Sequence, residues 1–353
     1  MAPPPPPELI DDAIAEILLR LPPDDPASLV RASLVCKPWR RTLSDPAFLR
    51  RYRALHRAPA LLGFLRNRYY GDTRLVATAA ASPFSTPALD SDTWCALDCR
   101  HGRVLLHSTD SERFIVWDPI TGDQHCLPQP AHWCQYLAAA VLCAVDGCGH
   151  LDCHGGPFLV VFLGMASIAW ASLYTSETRE WSAPAYLDYR RVLESTPSRL
   201  AGDALYFTVA IGTDILKYDL ATRELSVIEM PDEFDWTCML IATEGGRLGY
   251  VEVDKYNLYL SSLQADAEGT EEWVQDRIID LKTLLPINAL AVSPALIGFA
   301  EGSDIIFINT DVGAFTIDLN SGQVRKVAGE GGLHLPYISF FTPDLAEARL
   351  ELS

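Results

Sequence analysis

A chain of 353 residues, 49% of them hydrophobic, has enough apolar mass for a substantial core, which excludes global disorder. Its formal charge of -18 is unevenly spread: residues 1–60 hold nine Lys/Arg against seven Asp/Glu, and the remainder nineteen against thirty-nine. An acidic body of this kind repels phosphate backbones, which excludes sequence-independent nucleic-acid binding by the large part.

The N-terminal MAPPPPPELIDD lacks the basic and apolar regions of a signal peptide, and its proline run predicts an extended tail over residues 1–6. The chain then turns helical. Ile10, Ile14, Ile17, Leu18 and Leu21 form one apolar stripe, stopped by Pro22-Pro23. Asp25-Pro26 reads as an N-cap with proline at the first helical position, opening a second helix through Leu29 and Val35 as far as Lys37-Pro38. Asp45-Pro46 repeats that signal for a third helix bearing Phe48, Leu49, Tyr52 and Leu55. The arginines of RRYRALHR at 50–57 read as a solvated face of it. Three helices in about fifty residues make a thin core, so part of their apolar surface is expected to belong to a partner.

Beyond residue 58 the helical period gives way to short alternating runs separated by turns. VWDPITGD, LYTSETRE, KYDLATRE and TIDLNSGQ align, with a degenerate LYLSSLQA, on Trp117, Tyr174, Tyr218, Ile317 and Leu260. Gly102, Gly156, Gly202, Gly246 and Gly302 each precede one of these anchors by 14 to 18 residues. Asp or Ser at the first turn position accepts backbone N–H bonds, and a late glycine tolerates φ > 0. Repeats of this length built from antiparallel strands predict a β-propeller, and the span after residue 58 holds about six blades of 45 to 50 residues. The sixth blade is expected from residues 58–98 together with LPYISFFTP near the C-terminus, because closing the ring removes the open sheet edge. The uncharged CHGGPFLVVFLGMASIAWASLYTS reads as two buried strands and a turn and not as a membrane span.

The most concentrated set of chemical side chains is Cys143, Cys148, His150, Cys153 and His154. Cysteine and neutral histidine are suitable zinc ligands, but C-x4-C-x-H-x2-C-H matches no standard paired pattern, so an inter-blade loop with free thiols and no metal is expected. Alternating strand positions explain most of the set Cys95, Cys99, His101 and His107. Nine cysteines without a regular framework read as intracellular thiols, which points to the cytoplasm or nucleus. Phosphate-binding, dinucleotide, nucleophile-elbow and zinc-protease motifs are absent, so a non-catalytic protein without cofactor is expected. Trp133 in PQPAHWCQY and Trp236 in PDEFDWT are the candidates for an exposed ligand anchor.

PPELIDDAIAEILLRLPPDDPASLVRASLVCKPWRRTLSDPAFLRRY resembles an F-box from end to end. The likeness rests on Pro7-Glu8-Leu9, Ile17-Leu18, Leu21-Pro22, Leu29, Val35-Cys36-Lys37, Trp39 and Asp45-Pro46 with Phe48. Proline replaces the leucine usual before Pro7. The Trp117-to-Gly122 and Glu177-to-Trp181 turns resemble the F-box-associated propeller of the large plant F-box families. The resemblance implies a helical F-box at 7–55, an all-β propeller-like domain at 58–345 and a tail at 346–353. It implies adaptor contacts from Pro7, Leu9, Ile10, Ile14, Ile17, Leu18, Leu21, Pro22, Leu29, Val35, Cys36 and Trp39. The partner so implied is a Skp-family adaptor leading to a cullin-RING ubiquitin ligase, with the propeller holding a target protein. Its acidic charge favours a basic target surface. The rival readings are a small-molecule or glycan-binding propeller, and an F-box scaffold outside ubiquitination.

Overall fold

The computed structural model describes residues 11–23, 25–57, 59–67, 73–77, 93–194, 196–209, 214–230, 238–243, 245–265, 270–286, 293–327 and 334–343. The two tails expected at 1–6 and 346–353 lie outside them.

Among the described residues the N-terminal unit contains four helices where the sequence pattern predicts three: α1 (Asp11–Leu18), α2 (Pro26–Ser33), α3 (Lys37–Leu43) and α4 (Pro46–His56). The extra boundary arises at Lys37-Pro38, where proline ends one helix and also fits the first turn of the next. Asp45 caps α4 by accepting from the Ala47 N–H at 3.1 Å. Leu18, Leu19, Leu29, Leu43, Phe48, Leu49 and Tyr52 form the core of this unit, and Phe340 from the far end of the chain joins it.

Six sheets follow, arranged as the blades of a propeller. The first joins β1 (Ala60–Asn67) and β2 (Thr73–Ala77) to the last strand, β24 (His334–Ser339), in the order β2-β1-β24. The second holds β3 (Trp94–Arg100), β4 (Arg103–Ser108), β5 (Phe114–Trp117) and β6 (Gln124–Leu127). The third holds β7 (Tyr136–Cys143), β8 (Phe158–Met165), β9 (Ala169–Thr175) and β10 (Glu180–Trp181), with β11 (Ala185–Leu187) also on β9. The fourth runs from β12 (Arg199–Ala201) through β13 (Ala204–Thr208) and β14 (Asp214–Asp219) to β15 (Leu225–Glu229). The fifth comprises β16 (Met239–Ala242), β17 (Leu248–Asp254), β18 (Asn257–Ala265) and β19 (Glu271–Asp280), followed by α5 (Leu281–Leu284). The sixth comprises β20 (Ala295–Ala300), β21 (Ile305–Thr310), β22 (Gly313–Asp318) and β23 (Val324–Val327).

The ring closes as the edge argument requires: β24 pairs antiparallel with β1 from Ala60↔Ser339 to Arg66↔His334. At the seam Gly298 allows close approach, since a Cβ there would lie 2.5 Å from the His334 carbonyl oxygen. An apolar cluster fills each interface between neighbouring blades, for example Phe64 with Ile297 and Phe307 between first and sixth. The uncharged stretch at 153–176 supplies β8 and β9, both almost wholly buried.

The predicted turn chemistry holds in three repeats. Asp118 accepts from the Ile120 and Thr121 N–H groups, Asp219 from Ala221 and Thr222, and Asp318 from Asn320 and Ser321, at 2.8 to 3.2 Å. The left-handed position is taken by Gly122 and Gly322 and, less comfortably, by Arg179 and Arg223. The alignment of LYLSSLQA on Leu260 fails, because Leu260 lies inside β18, which continues to Ala265 with a bulge at Leu260/Ser261. Gly102, Gly202, Gly246 and Gly302 have positive φ in the inner hairpin turns. The third blade departs: residues 144–157 form a long loop between β7 and β8, and its left-handed glycines are Gly147 and Gly155, not Gly156. The cysteine-rich segment is therefore a loop within one blade, not between blades.

Candidate functional site

Strand direction alternates within a blade, so the inner hairpin turns and the connections between blades emerge on opposite faces. The helical unit sits on the inner-turn face. Leu151 of the 144–157 loop packs on its core, Tyr52 meets the Phe340 ring edge-on at 6.1 Å, and buried Arg53 pairs with Asp152 at 2.7 Å. The arginines of α4 are thus not a uniform solvated face: Arg50 and Arg51 are exposed, and Arg53 is 6% exposed.

Packing divides the residues expected to meet an adaptor. Leu18 and Leu29 are 1% and 2% exposed and belong to the unit's own core. Ile14, Leu21 and Trp39 are half-buried against that core. Ile17, Pro22, Val35 and Cys36 remain exposed, and Leu34, absent from the predicted set, is the most exposed large apolar residue of the unit at 77%. Pro7, Leu9 and Ile10 lie outside the described residues. Sequence periodicity could not separate Ile17 from Leu18, because adjacent positions sit at the two edges of a single stripe. The large apolar residues left exposed on the unit are Ile17 on α1, Leu34 and Val35 in the turn between α2 and α3, and Leu55 on α4.

A cavity of about 350 Å³ opens at the mouth of the propeller channel on the same side, lined by Arg57, Pro59, His101, His150, Arg199 and Phe299 among others. Its buried charged groups are committed to neighbours. Arg100 donates to Asp98 at 2.6 Å, to Glu301 at 2.7 and 2.9 Å, and to the Ser198 carbonyl, while Asp98 accepts the Val141 N–H at 2.7 Å. Four blades meet in that network, so its primary effect is to lock inner strands around the axis. Burial alone would raise the Glu301 carboxyl, but the Arg100 charge and its hydrogen bonds outweigh it and hold the group below its ordinary value.

Glu301 accordingly contributes stability that is fully present above an unfolded value near 4.5 and is lost as pH falls through the lower folded value. Glu301→Gln is expected to be about 1–3 kcal/mol less stable than the parent at neutral pH, with the difference shrinking below about pH 4. Thermal melts of both proteins across the acid range check this; a pH-independent difference would remove the charge argument.

The opposite face carries exposed aromatics. Trp133, in the connection from β6 to β7, is 72% exposed, and Tyr186 (54%) and Tyr136 (36%) lie in the same blade. His132 joins Trp133 to this group, bonding the Tyr186 hydroxyl at 3.0 Å and meeting the Trp170 ring edge-on. Trp94, Trp117 and Trp170 are buried blade core. Trp236 lies outside the described residues. Tyr186 was missed because β11 adds to β9 outside the repeat.

Cys95 and Cys99 alternate along β3 as expected, whereas the ligand atoms of Cys143, Cys148, His150 and Cys153 all lie within 4.8 Å of one another. His154 leaves that group to bond Asp118 at 2.5 Å and Ser339 at 2.9 Å. No helix among the described residues is long and apolar enough to cross a membrane.

Residues 7–51 match the F-box domain, and residues 95–332 match the family described as F-box protein AT5G49610-like, beta-propeller. The chain is similar to the F-box protein At5g03970 of Arabidopsis thaliana, 23% identical over 91% of this chain and 83% of that protein. It is also similar to the F-box protein At2g07140 of the same plant, 21% identical over 84% of this chain and 79% of that one. Among solved structures it resembles TolB from Acinetobacter baumannii, with 14% identity, a TM-score of 0.43 and coverage of 80% and 68% of the two chains.

Proposed function

Because the chain belongs to the F-box proteins with an AT5G49610-like beta-propeller, we propose that it is the target-recognising subunit of an SCF-type ubiquitin ligase. The carrying observation is the exposure of Ile17, Leu34 and Val35 on a helical unit whose core is joined to the propeller by Phe340 and Leu151. A Skp-family adaptor buries those side chains and connects the protein to a cullin-RING ligase. The chain supplies no catalytic group: it accelerates another enzyme's transfer by raising the local concentration of the target. It works in the cytoplasm or nucleus, without nucleic acid or membrane. Co-purification of the full chain with adaptor and cullin tests this reading, and failure to bind any Skp-family adaptor sinks it.

The target binds the aromatic surface around Trp133, Tyr136 and Tyr186, on the face turned away from the F-box. Exposed Trp and Tyr supply large contact area at low conformational cost, and the acidic body favours a basic target. Trp133→Ala with Tyr186→Ala is expected to change stability by less than about 0.5 kcal/mol. Comparative proteomics should show the proteins enriched by the wild type lost from the variant, whereas an unchanged profile places the target elsewhere.

A further inference from the structure

We infer that Cys143, Cys148, His150 and Cys153 form a structural zinc site that clamps the 144–157 loop against the F-box. Three cysteines and one histidine are an established donor set for closed tetrahedral zinc. With Zn–S near 2.3 Å and tetrahedral angles, ligand atoms stand roughly 3.6 to 3.8 Å apart. The Cys148 and Cys153 sulfurs are 3.7 Å apart, and the Cys153 sulfur is 3.7 Å from His150 Nδ1. A disulfide would bring the two sulfurs to about 2.05 Å and leave Cys143 and His150 unused.

The backbone is shaped for the same end. The Val145 N–H points at the Cys143 sulfur at 3.5 Å, and the His150 N–H at the Cys148 sulfur at 3.4 Å, an arrangement that favours sulfur as thiolate. Gly147, His150 and Gly155 take positive φ, which curls the loop back on itself. Arg103 donates to the Cys153 and Gly156 carbonyls and fixes the loop base. His101 stacks on the His150 ring at 3.8 Å and accepts the Cys143 N–H at 3.1 Å, so it orients two ligands at once.

The consequence for the molecule comes from what lies between the last two ligands. Leu151 packs on the F-box core and Asp152 pairs with Arg53. Zinc therefore fixes the segment that holds the adaptor-binding unit in place on the propeller, and removing it loosens that junction.

The test uses the full chain, purified in reductant without chelator. Elemental mass spectrometry is expected to find one zinc per chain, lost in Cys148→Ser and His150→Ala and kept in Cys126→Ser, whose thiol is exposed and outside the cluster. Should the ligand variants fail to fold, thiol titration of the wild type gives an independent readout: three cysteines should become newly reactive when a strong zinc chelator is added. Zinc near zero after growth with added zinc, thiols unaffected by chelator, or a Cys148–Cys153 disulfide in the reduced preparation would each overturn the proposal.

Discussion

Leu34→Asp with Val35→Asp is expected to abolish co-purification with a Skp-family adaptor while the full chain melts at the temperature of the parent. The two side chains are 77% and 63% exposed, so the fold gains little from them and loses little when they become charged. Buried in a partner, a residue of this kind contributes about 2 kcal/mol or more, and each substitution should weaken binding by roughly 30-fold or more. Together they approach a thousandfold, allowing for some coupling between neighbours. Leu18→Asp and Leu29→Asp make the contrast. At 1% and 2% exposure they would place an unpaired carboxylate inside the helical core, and any loss of binding would come with loss of the folded unit. Isothermal titration beside calorimetric melts separates the cases. Adaptor binding that survives the double variant intact would exclude this face.

Arg100→Leu should cause the largest loss of stability in the propeller. The guanidinium is buried between Asp98 and Glu301, with side-chain exposures of 4%, 2% and 20%. Removing one partner of a buried ionic network leaves the others uncompensated, at a cost of about 3–5 kcal/mol. In a domain of this size that corresponds to a fall of roughly 10 °C in Tm. The strands it connects belong to the second, third, fourth and sixth blades, so the variant should unfold as a whole and not by local fraying. Denaturant melts followed by tryptophan fluorescence check the magnitude, and a loss under about 1 kcal/mol would mean that water replaces the network at little cost.

Much of the scaffold was legible because it depends on local rules. Period-two burial, a turn aspartate reaching the next N–H groups and a glycine at positive φ operate over six or eight residues, so Trp117, Tyr218 and Ile317 marked their turns correctly. The rule failed at Leu260, where a bulged strand imitates the spacing of a turn without its chemistry. Even the closing pair of β1 and β24 followed from the need to leave no open edge.

The sequence by itself determined the class of the protein: a short helical unit marked by paired prolines and an F-box pattern, then repeats of antiparallel strands that could only close into a ring. The tertiary structure decided which apolar residues are core and which are free. Leu18 and Ile17 are neighbours on one helix, yet only packing against α4 and Phe340 assigns one to the interior and leaves the other at the surface. It also brought Cys143, Cys148, His150 and Cys153 to one point, which their irregular spacing did not announce. The physical reason is common to both. Periodicity and turn preference are short-range properties of the chain, whereas burial and ligand convergence depend on contacts between segments distant in sequence, fixed only once the ring has closed.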